Sequence, residues 1–469
     1  MIKKNLIASL IIVIFSVLIF TLPPLLNKNV NTILSISTIV MISIYVVLSF
    51  DIIHRTAIAV LGAAILIASA IALQVVVPQH SLDFVTELID FNTIGLLLGM
   101  MIIVAILGET GVFNWVAIKA TELSRGNPWR LMIILCTFTA IVSAFVDNVT
   151  VVLLMIPVTL TIFRFLNRSA FPYIIGQVMS SNIGGAATLI GDPPNIIIGS
   201  AANIDFNSFI IGMGPTVVIT FVSSLFVLRF LFASELKAGF DVKSIEKFQE
   251  ENLIRDKNLL KKSLAILATV IFFFAIQGII GIEVSLIAFA GAAMLLVITR
   301  INVEKVLHEV DWSTLLFFAG LFIVIGIFAK AGGIEILSST VIGITGGNPW
   351  TTFLSIIWLS AISSGFVDNI PFTVTMTPLI QTLGNNPEIV SGFGHHAINP
   401  LWWALALGAD FGGNLTLIGS SAAVVAAGIS AKYGFRLTFN QWFKVGVPFT
   451  IITLIIGMIT LSMFTLLSN

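Results

Sequence analysis

Asp147, Asp192, Asp368 and Asp410 each lie in a long apolar stretch of this sequence, beside residues that interrupt a helix. Asp147-Asn148 and Asp368-Asn369 both follow Phe-Val, with an apolar arm on either side. Asp192 ends the string Gly184-Gly185-Ala186-Ala187-Thr188-Leu189-Ile190-Gly191 and opens onto Pro193-Pro194-Asn195. Asp410 opens Phe411-Gly412-Gly413-Asn414-Leu415-Thr416-Leu417-Ile418-Gly419-Ser420, which keeps the glycines and loses the prolines. Glycine lets backbone approach a ligand closely, and proline withholds the N–H that would continue a helix. A broken helix therefore leaves backbone N–H and C=O groups free beside these carboxylates. Hard oxygen sets of this kind suit Na+ or a proton, and carboxylates crowded together interact strongly enough for one to carry a proton near neutral pH. One such Asp could simply cap a helix. Four of them, with Asn148, Asn195, Asn369 and Asn414 at breaks in apolar segments, point instead to ion or substrate binding. Asn182, Gly184, Gly185, Thr188 and Thr416 complete the candidate set, and the tip pairs Asp147-Asn148 and Asp368-Asn369 are the candidate Na+ ligands. Glu109 and Lys330 end apolar runs and read as side chains reaching the interface. His395-His396 reads as loop, and no catalytic triad or metal-ligand cluster converges, so no enzyme is expected.

The elements that must position these residues are membrane helices. The chain has 57% AVILMFWYC and only 10% charged residues, with a formal net charge of zero. Soluble domains carry roughly 45–50% apolar and about 25% charged residues. This balance excludes a soluble enzyme, a nucleic-acid binder and a disordered protein. The single cysteine, Cys136, permits no intramolecular disulfide. Apolar runs near 5–24, 33–50, 56–77, 91–108, 209–232, 263–281, 284–299, 312–328 and 443–466 are long enough to span a bilayer or nearly so. The first reads as an anchor rather than a signal peptide, because it ends in Thr21-Leu22-Pro23-Pro24 without a small-residue cleavage pattern. Stretches 131–163 and 351–382 read as re-entrant hairpins, and 172–202 and 401–427 as broken helices. With the N-terminus cytoplasmic and the C-terminus outside, only Lys28 and Lys330 of the 23 Lys and Arg residues fall outside.

Self-similarity organises the chain. Gly126-Asn127-Pro128-Trp129 recurs at Gly347-Asn348-Pro349-Trp350, and Phe145-Val146-Asp147-Asn148 at Phe366-Val367-Asp368-Asn369, both 221 residues on (126 to 347, 145 to 366). Thr188-Leu189-Ile190-Gly191 recurs at Thr416-Leu417-Ile418-Gly419, 228 residues on (188 to 416). The expected organisation is N-terminal transmembrane helices over 1–90, a first repeat over 91–232, a cytoplasmic linker over 233–262, further helices over 263–310, and a second repeat over 311–469. Because 91–108 and 312–328 then cross in opposite senses, the repeats are inverted. The fold class is an all-α polytopic membrane protein with a re-entrant hairpin and a broken helix in each repeat. Inverted repeats with paired broken helices point to a midplane site and secondary transport. No Gly-x-x-x-x-Gly-Lys-Ser/Thr phosphate loop is present in the sequence, so ATP-driven transport is unsupported.

At these motifs the chain resembles the ion transporter superfamily. The string Gly184 to Asn195 is similar to that family's broken-helix signature, and the Phe-Val-Asp-Asn tips resemble the arsenite permease, P-protein and sodium–proton antiporter branch. The resemblance covers roughly Asp90 to Trp442. It implies a homodimer with an elevator-like moving part, and it assigns the binding positions to Asp147-Asn148, Asp368-Asn369, Asp192 and Asn195. The dicarboxylate branch tends to carry Ser-Asn-Thr at the tips, which this chain lacks. The expected function is an ion-coupled secondary transporter of the arsenite/anion permease type in the cell membrane, with H+ or Na+ as the coupling ion and no other cofactor. Neutral arsenous or antimonous acid fits an acidic site without charge penalty, whereas an anion needs co-bound cations. Na+/H+ antiport is the alternative and an ion channel the remote one. The expected partners are a small inorganic ion or metalloid, membrane lipid and a second copy of the chain, with no nucleic acid.

Overall fold

A computed structural model describes residues 29–49, 53–237, 239–240, 254–394, 396 and 398–467. The apolar run 5–24, Lys28, His395 and much of the 233–262 linker lie outside the described residues. Within them the chain is helical without strands, and eight helices are long and apolar enough to cross a membrane. Their outward faces carry Ile211, Phe226, Phe230 and Phe272 to the surface, as lipid-facing helices should.

The first half runs α1 (Asn29–Ser49), α2 (Arg55–Ala72), a short α3 (Ser81–Leu88), the span α4 (Phe91–Glu109) and α5 (Val112–Ser124). The first hairpin follows as α6 (Pro128–Ser143) and α7 (Asn148–Phe165). The broken helix is α8 (Phe171–Gly185) with α9 (Pro193–Ala202), and α10 (Phe206–Leu231) closes the half. The second half repeats this order. Its helices are α11 (Lys257–Ala275), α12 (Gln277–Ile280), α13 (Val284–Thr299), α14 (Val303–Glu309), α15 (Trp312–Lys330) and α16 (Gly333–Thr345). The second hairpin is α17 (Pro349–Val367) and α18 (Asn369–Gly384), followed by a short α19 (Pro387–Ser391). The second broken helix is α20 (Pro400–Gly412) with α21 (Ser421–Lys432), and α22 (Phe439–Leu467) ends the described chain. A helix–break–helix pair thus occurs at each of the four interrupted stretches, 131–163, 172–202, 351–382 and 401–427. The helices α5 and α16 were not anticipated from hydropathy, being only 13 residues each.

Local sequence explains the breaks. Asn127 and Asn348 cap the two hairpins by accepting from Arg130 N and Thr351 N, with proline in the first turn of each arm. The first hairpin arm and the first half of the broken helix touch backbone to backbone. A Cβ on Gly184 would meet the Ala140 carbonyl oxygen at 2.3 Å, and one on Gly412 would meet that of Ala361 at 2.4 Å. Thr188 donates to the Ala144 carbonyl and Thr416 to that of Gly365, so the same stitch recurs in both halves.

The halves then exchange partners. Helix α4 packs on α13 of the second half, and α15 packs on α2 of the first. Likewise α9 packs on the hairpin arm α18, and α21 on α7. The repeats interlock around a shared centre.

Candidate functional site

The centre is where the two broken helices and the two hairpin tips meet. Because each Asn follows its tip Asp at a helix start, Asn148 and Asn369 point inward from opposite halves. Asn148 Nδ2 donates to Asp192 Oδ2 at 2.5 Å and to Asn182 Oδ1 at 3.1 Å. Asn369 Nδ2 donates to Asp192 Oδ1 at 3.2 Å. Asn182 Nδ2 donates in turn to Asn414 Oδ1 at 3.0 Å and Ser420 Oγ at 3.1 Å. Asp192, Asn182, Asn195, Asn414 and Asp410 are all buried.

Asp410 is the unusual member. It is fully buried, and among the described residues neither carboxylate oxygen has a partner of hydrogen-bond geometry; the Asn195 side chain lies alongside, near enough to favour the charged form, and its own Oδ1 is also unpartnered. The Asn195 amide instead donates to the Gly185 and Thr188 carbonyls at 3.1 Å each, holding the loop of the first broken helix. Asp192 and Asp410 are near enough to interact electrostatically, and among the described residues no Lys or Arg pairs with either. A buried carboxylate without donors is costly unless a cation or proton joins it. The repeat offset of 228 relates Asp410 to Asn182 and Asp192 to Ser420 (182 to 410, 192 to 420), so the charges sit at different repeat positions of the two halves.

The tip aspartates do not join this network, although Asp192 feels the charge of both. Asp147 turns back on its own helix, accepting from Val149 N at 3.0 Å, Thr150 N at 3.1 Å and the Thr150 hydroxyl. Asp368 cannot copy this. The repeat mate of Thr150 is Pro371 (150 to 371), which has neither an N–H nor a hydroxyl. From its own helix Asp368 accepts Ile370 N at 3.2 Å, and its Oδ2 takes the Ser421 hydroxyl at 2.8 Å. Its backbone sits at φ +99°, a region L residues rarely adopt, whereas Asp147 is at φ −51°.

The spaces beside the tips also differ. Asp368 lines a cavity of about 300 Å³ with Arg55, His54, Phe317, Pro371 and Ser421. The equivalent space beside Asp147, walled by Leu96, Met100, Val146, Thr150 and Ile190, has closed to about 10 Å³. Arg55, Ser420 and Ser421 were not singled out from the sequence. The repeat offset alone could have found Ser420; nothing in the sequence around Arg55 marks its partners. Glu109 and Lys330 pair with Lys305 at 2.5 Å and Glu87 at 3.1 Å, away from the centre. Among the described residues no group of three His, Cys, Asp or Glu side chains is arranged to hold a metal.

Comparison with known proteins agrees with this architecture. A family model described as citrate transporter matches residues 45–408. An uncharacterized transporter of Mycobacterium tuberculosis is 42% identical over 412 residues, covering 88% of this chain and 94% of that protein. The human P protein is 35% identical over 511 residues, covering 92% of this chain and 60% of that protein, in line with the resemblance to the P-protein branch. The crystal structure of the YdaH transporter of Alcanivorax borkumensis, described as having an unusual topology, matches with a TM-score of 0.52 at 13% identity. That match covers 80% of this chain and 85% of the other, a likeness of fold.

Proposed function

The chain belongs to the citrate transporter (CitMHS) family of membrane transporters, and from that premise we propose that it is an ion-coupled secondary active transporter. The coupling ion, H+ or Na+, is held by Asp192 and Asp410, and the substrate is a small acid such as citrate, entering with the cations or protons that offset its charge. The observation that carries this reading is the buried Asp192/Asp410 pair at the crossing of the broken helices, whose donors are neutral amides and whose second member has none. An acidic centre of this kind attracts a cation, and a carboxylate substrate binds there only once that cation or proton is present. The tips, with Asn148 and Asn369 on Asp192, bring both repeats to one ion. Movement of the hairpins and broken helices against α1, α2, α11 and α13, in a homodimer, fits the way α4 and α15 pack across the halves.

The test is flux in proteoliposomes holding the full chain, under an imposed Na+ or proton gradient. Citrate, arsenite and Na+-driven proton movement are followed in parallel. Citrate accumulating above equilibrium, only with the gradient, supports the reading. Na+-driven proton movement without citrate or arsenite uptake establishes plain antiport instead. Flux that merely equilibrates regardless of gradient establishes a channel and refutes coupled transport.

A further inference from the structure

Among the described residues Arg55 is the sole Lys or Arg lining the 300 Å³ cavity, and the small counterpart beside Asp147 has none. It stands in the first turn of α2 with about a quarter of its side chain exposed. Its guanidinium donates to Thr314 Oγ1 at 2.8 Å and to the Ser421 hydroxyl, and lies over the Phe317 ring at 5.8 Å. Two carboxylates flank it without closing on it. Asp311 Oδ2 is 3.6 Å away and Asp368 Oδ2 3.9 Å, longer than the roughly 2.7–2.9 Å of a charge-assisted hydrogen bond. Asp311 is tied to the first turn of its own helix through Thr314 N and the Thr314 hydroxyl. Asp368 is the loose partner, because Pro371 denies it the cap that holds Asp147. The first turns of α18 and α21 also meet this cavity, adding the positive ends of two helix dipoles.

We propose that Arg55 is the specificity-determining residue of this cavity, and that a substrate carboxylate takes the place of Asp368 at its guanidinium. The planar guanidinium already has hydroxyl partners that fix its plane, so it presents an oriented face to the cavity. A cavity of this size takes a small organic acid. The incoming carboxylate meets Arg55 and two helix N-termini, and Asp368 is left to Ser421 and Ile370 N. Two consequences separate this exchange from a purely structural ion pair. Removing the guanidinium weakens carboxylate binding, whereas removing the charge of Asp368 strengthens it, because Asp368 competes for the same group.

This inference rests on the transport reading above and is tested by binding, apart from flux. Equilibrium binding of citrate and of uncharged triethyl citrate is measured in saturating Na+, at neutral and at acid pH so that either coupling ion is supplied, on the purified full chain and on Arg55→Gln, Arg55→Lys and Asp368→Asn. Arg55→Gln should weaken citrate binding about 10- to 100-fold, the range for a lost charge-assisted bond. Arg55→Lys should fall between, keeping the charge without the fork, and it carries the test if the Gln variant fails to fold. Asp368→Asn should tighten citrate several-fold, and triethyl citrate binding should not follow the series. Citrate affinity equal to wild type in both Arg55 variants, or Arg55 and Asp368 variants both weakening it, overturns the proposal. So does absence of citrate binding to the wild type; gradient-driven flux of another substrate in the proteoliposomes would then show that the transport reading survives alone.

Discussion

Asp410→Asn and Asp192→Asn should have opposite effects on stability and the same effect on transport. Asp410 has two buried oxygens without donors, and the neighbouring Asn195 Oδ1 is equally unpartnered. An amide at 410 removes a buried charge that has no donor of hydrogen-bond geometry, a gain of about 1 kcal/mol or more. The other half already holds an amide at the equivalent position, where the repeat mate is Asn182. Asp192 instead receives Asn148 on one oxygen and Asn369 on the other. An amide at 192 turns one acceptor into a donor facing a donor, losing about 1.5–3 kcal/mol. Thermal melts of the full chain in detergent without added cation should therefore rank Asp410→Asn at or above wild type and Asp192→Asn below it. The coupling ion adds a second readout. A ligand at 100 times its Kd stabilises the native state by about 2.7 kcal/mol, so the wild type should melt higher with the coupling cation and neither variant should respond. Both variants should lose gradient-driven uptake in proteoliposomes. If Asp410→Asn keeps wild-type gradient-driven uptake and the cation-dependent rise in melting temperature, Asp410 is not a coupling group and the proposed site is wrong.

Asp147→Asn probes the tip that turns back on its own helix. Asn is about as good a cap, so loss of the Thr150 hydroxyl bond should cost about 1 kcal/mol in a melt, and uptake should stay near wild type. Abolished uptake with an intact melt would move the coupling ion to this tip. Gly184→Ala places a Cβ 2.3 Å from the Ala140 carbonyl, and Gly412→Ala repeats the collision at Ala361, so each should destabilise by about 1–3 kcal/mol. Wild-type melting in both would show that the hairpin arm and broken helix are less closely packed than described. In a Cys136→Ser background, single cysteines replacing Lys257 and Asn386 should be labelled from opposite faces of the membrane, Lys257 from the cytoplasm. Labelling from one face would refute the inverted topology.

Much of this architecture follows from one-dimensional pattern. The apolar runs mark the helices because a bilayer admits few other spanning structures. The Asp-Asn tips and Gly-Asp-Pro-Pro string mark the breaks, because proline and a capping carboxylate start helices at fixed points. The repeat offset alone links Gly184 to Gly412 and Thr188 to Thr416, and each pair makes the same contact in both halves. Helices α5 and α16 escaped because 13 residues fall short of a span.

Which of the four aspartates meet was a matter of tertiary structure. Composition and spacing treat Asp147, Asp192, Asp368 and Asp410 alike, as carboxylates at breaks in apolar helices. The folded chain brings Asp192 under both tip asparagines, leaves Asp410 without donors, turns Asp147 onto its own helix and gives Asp368 to Ser421 and Arg55. The Thr150-to-Pro371 difference is visible in the sequence, but it acquires meaning only once a cavity with an arginine lies beside it. The reason is distance along the chain. Helical period and capping are set by neighbours within a few residues, whereas the interlock of α4 with α13 and α15 with α2 joins segments from opposite halves. No local preference encodes such pairings; they arise when the two repeats bury their broken helices against one another.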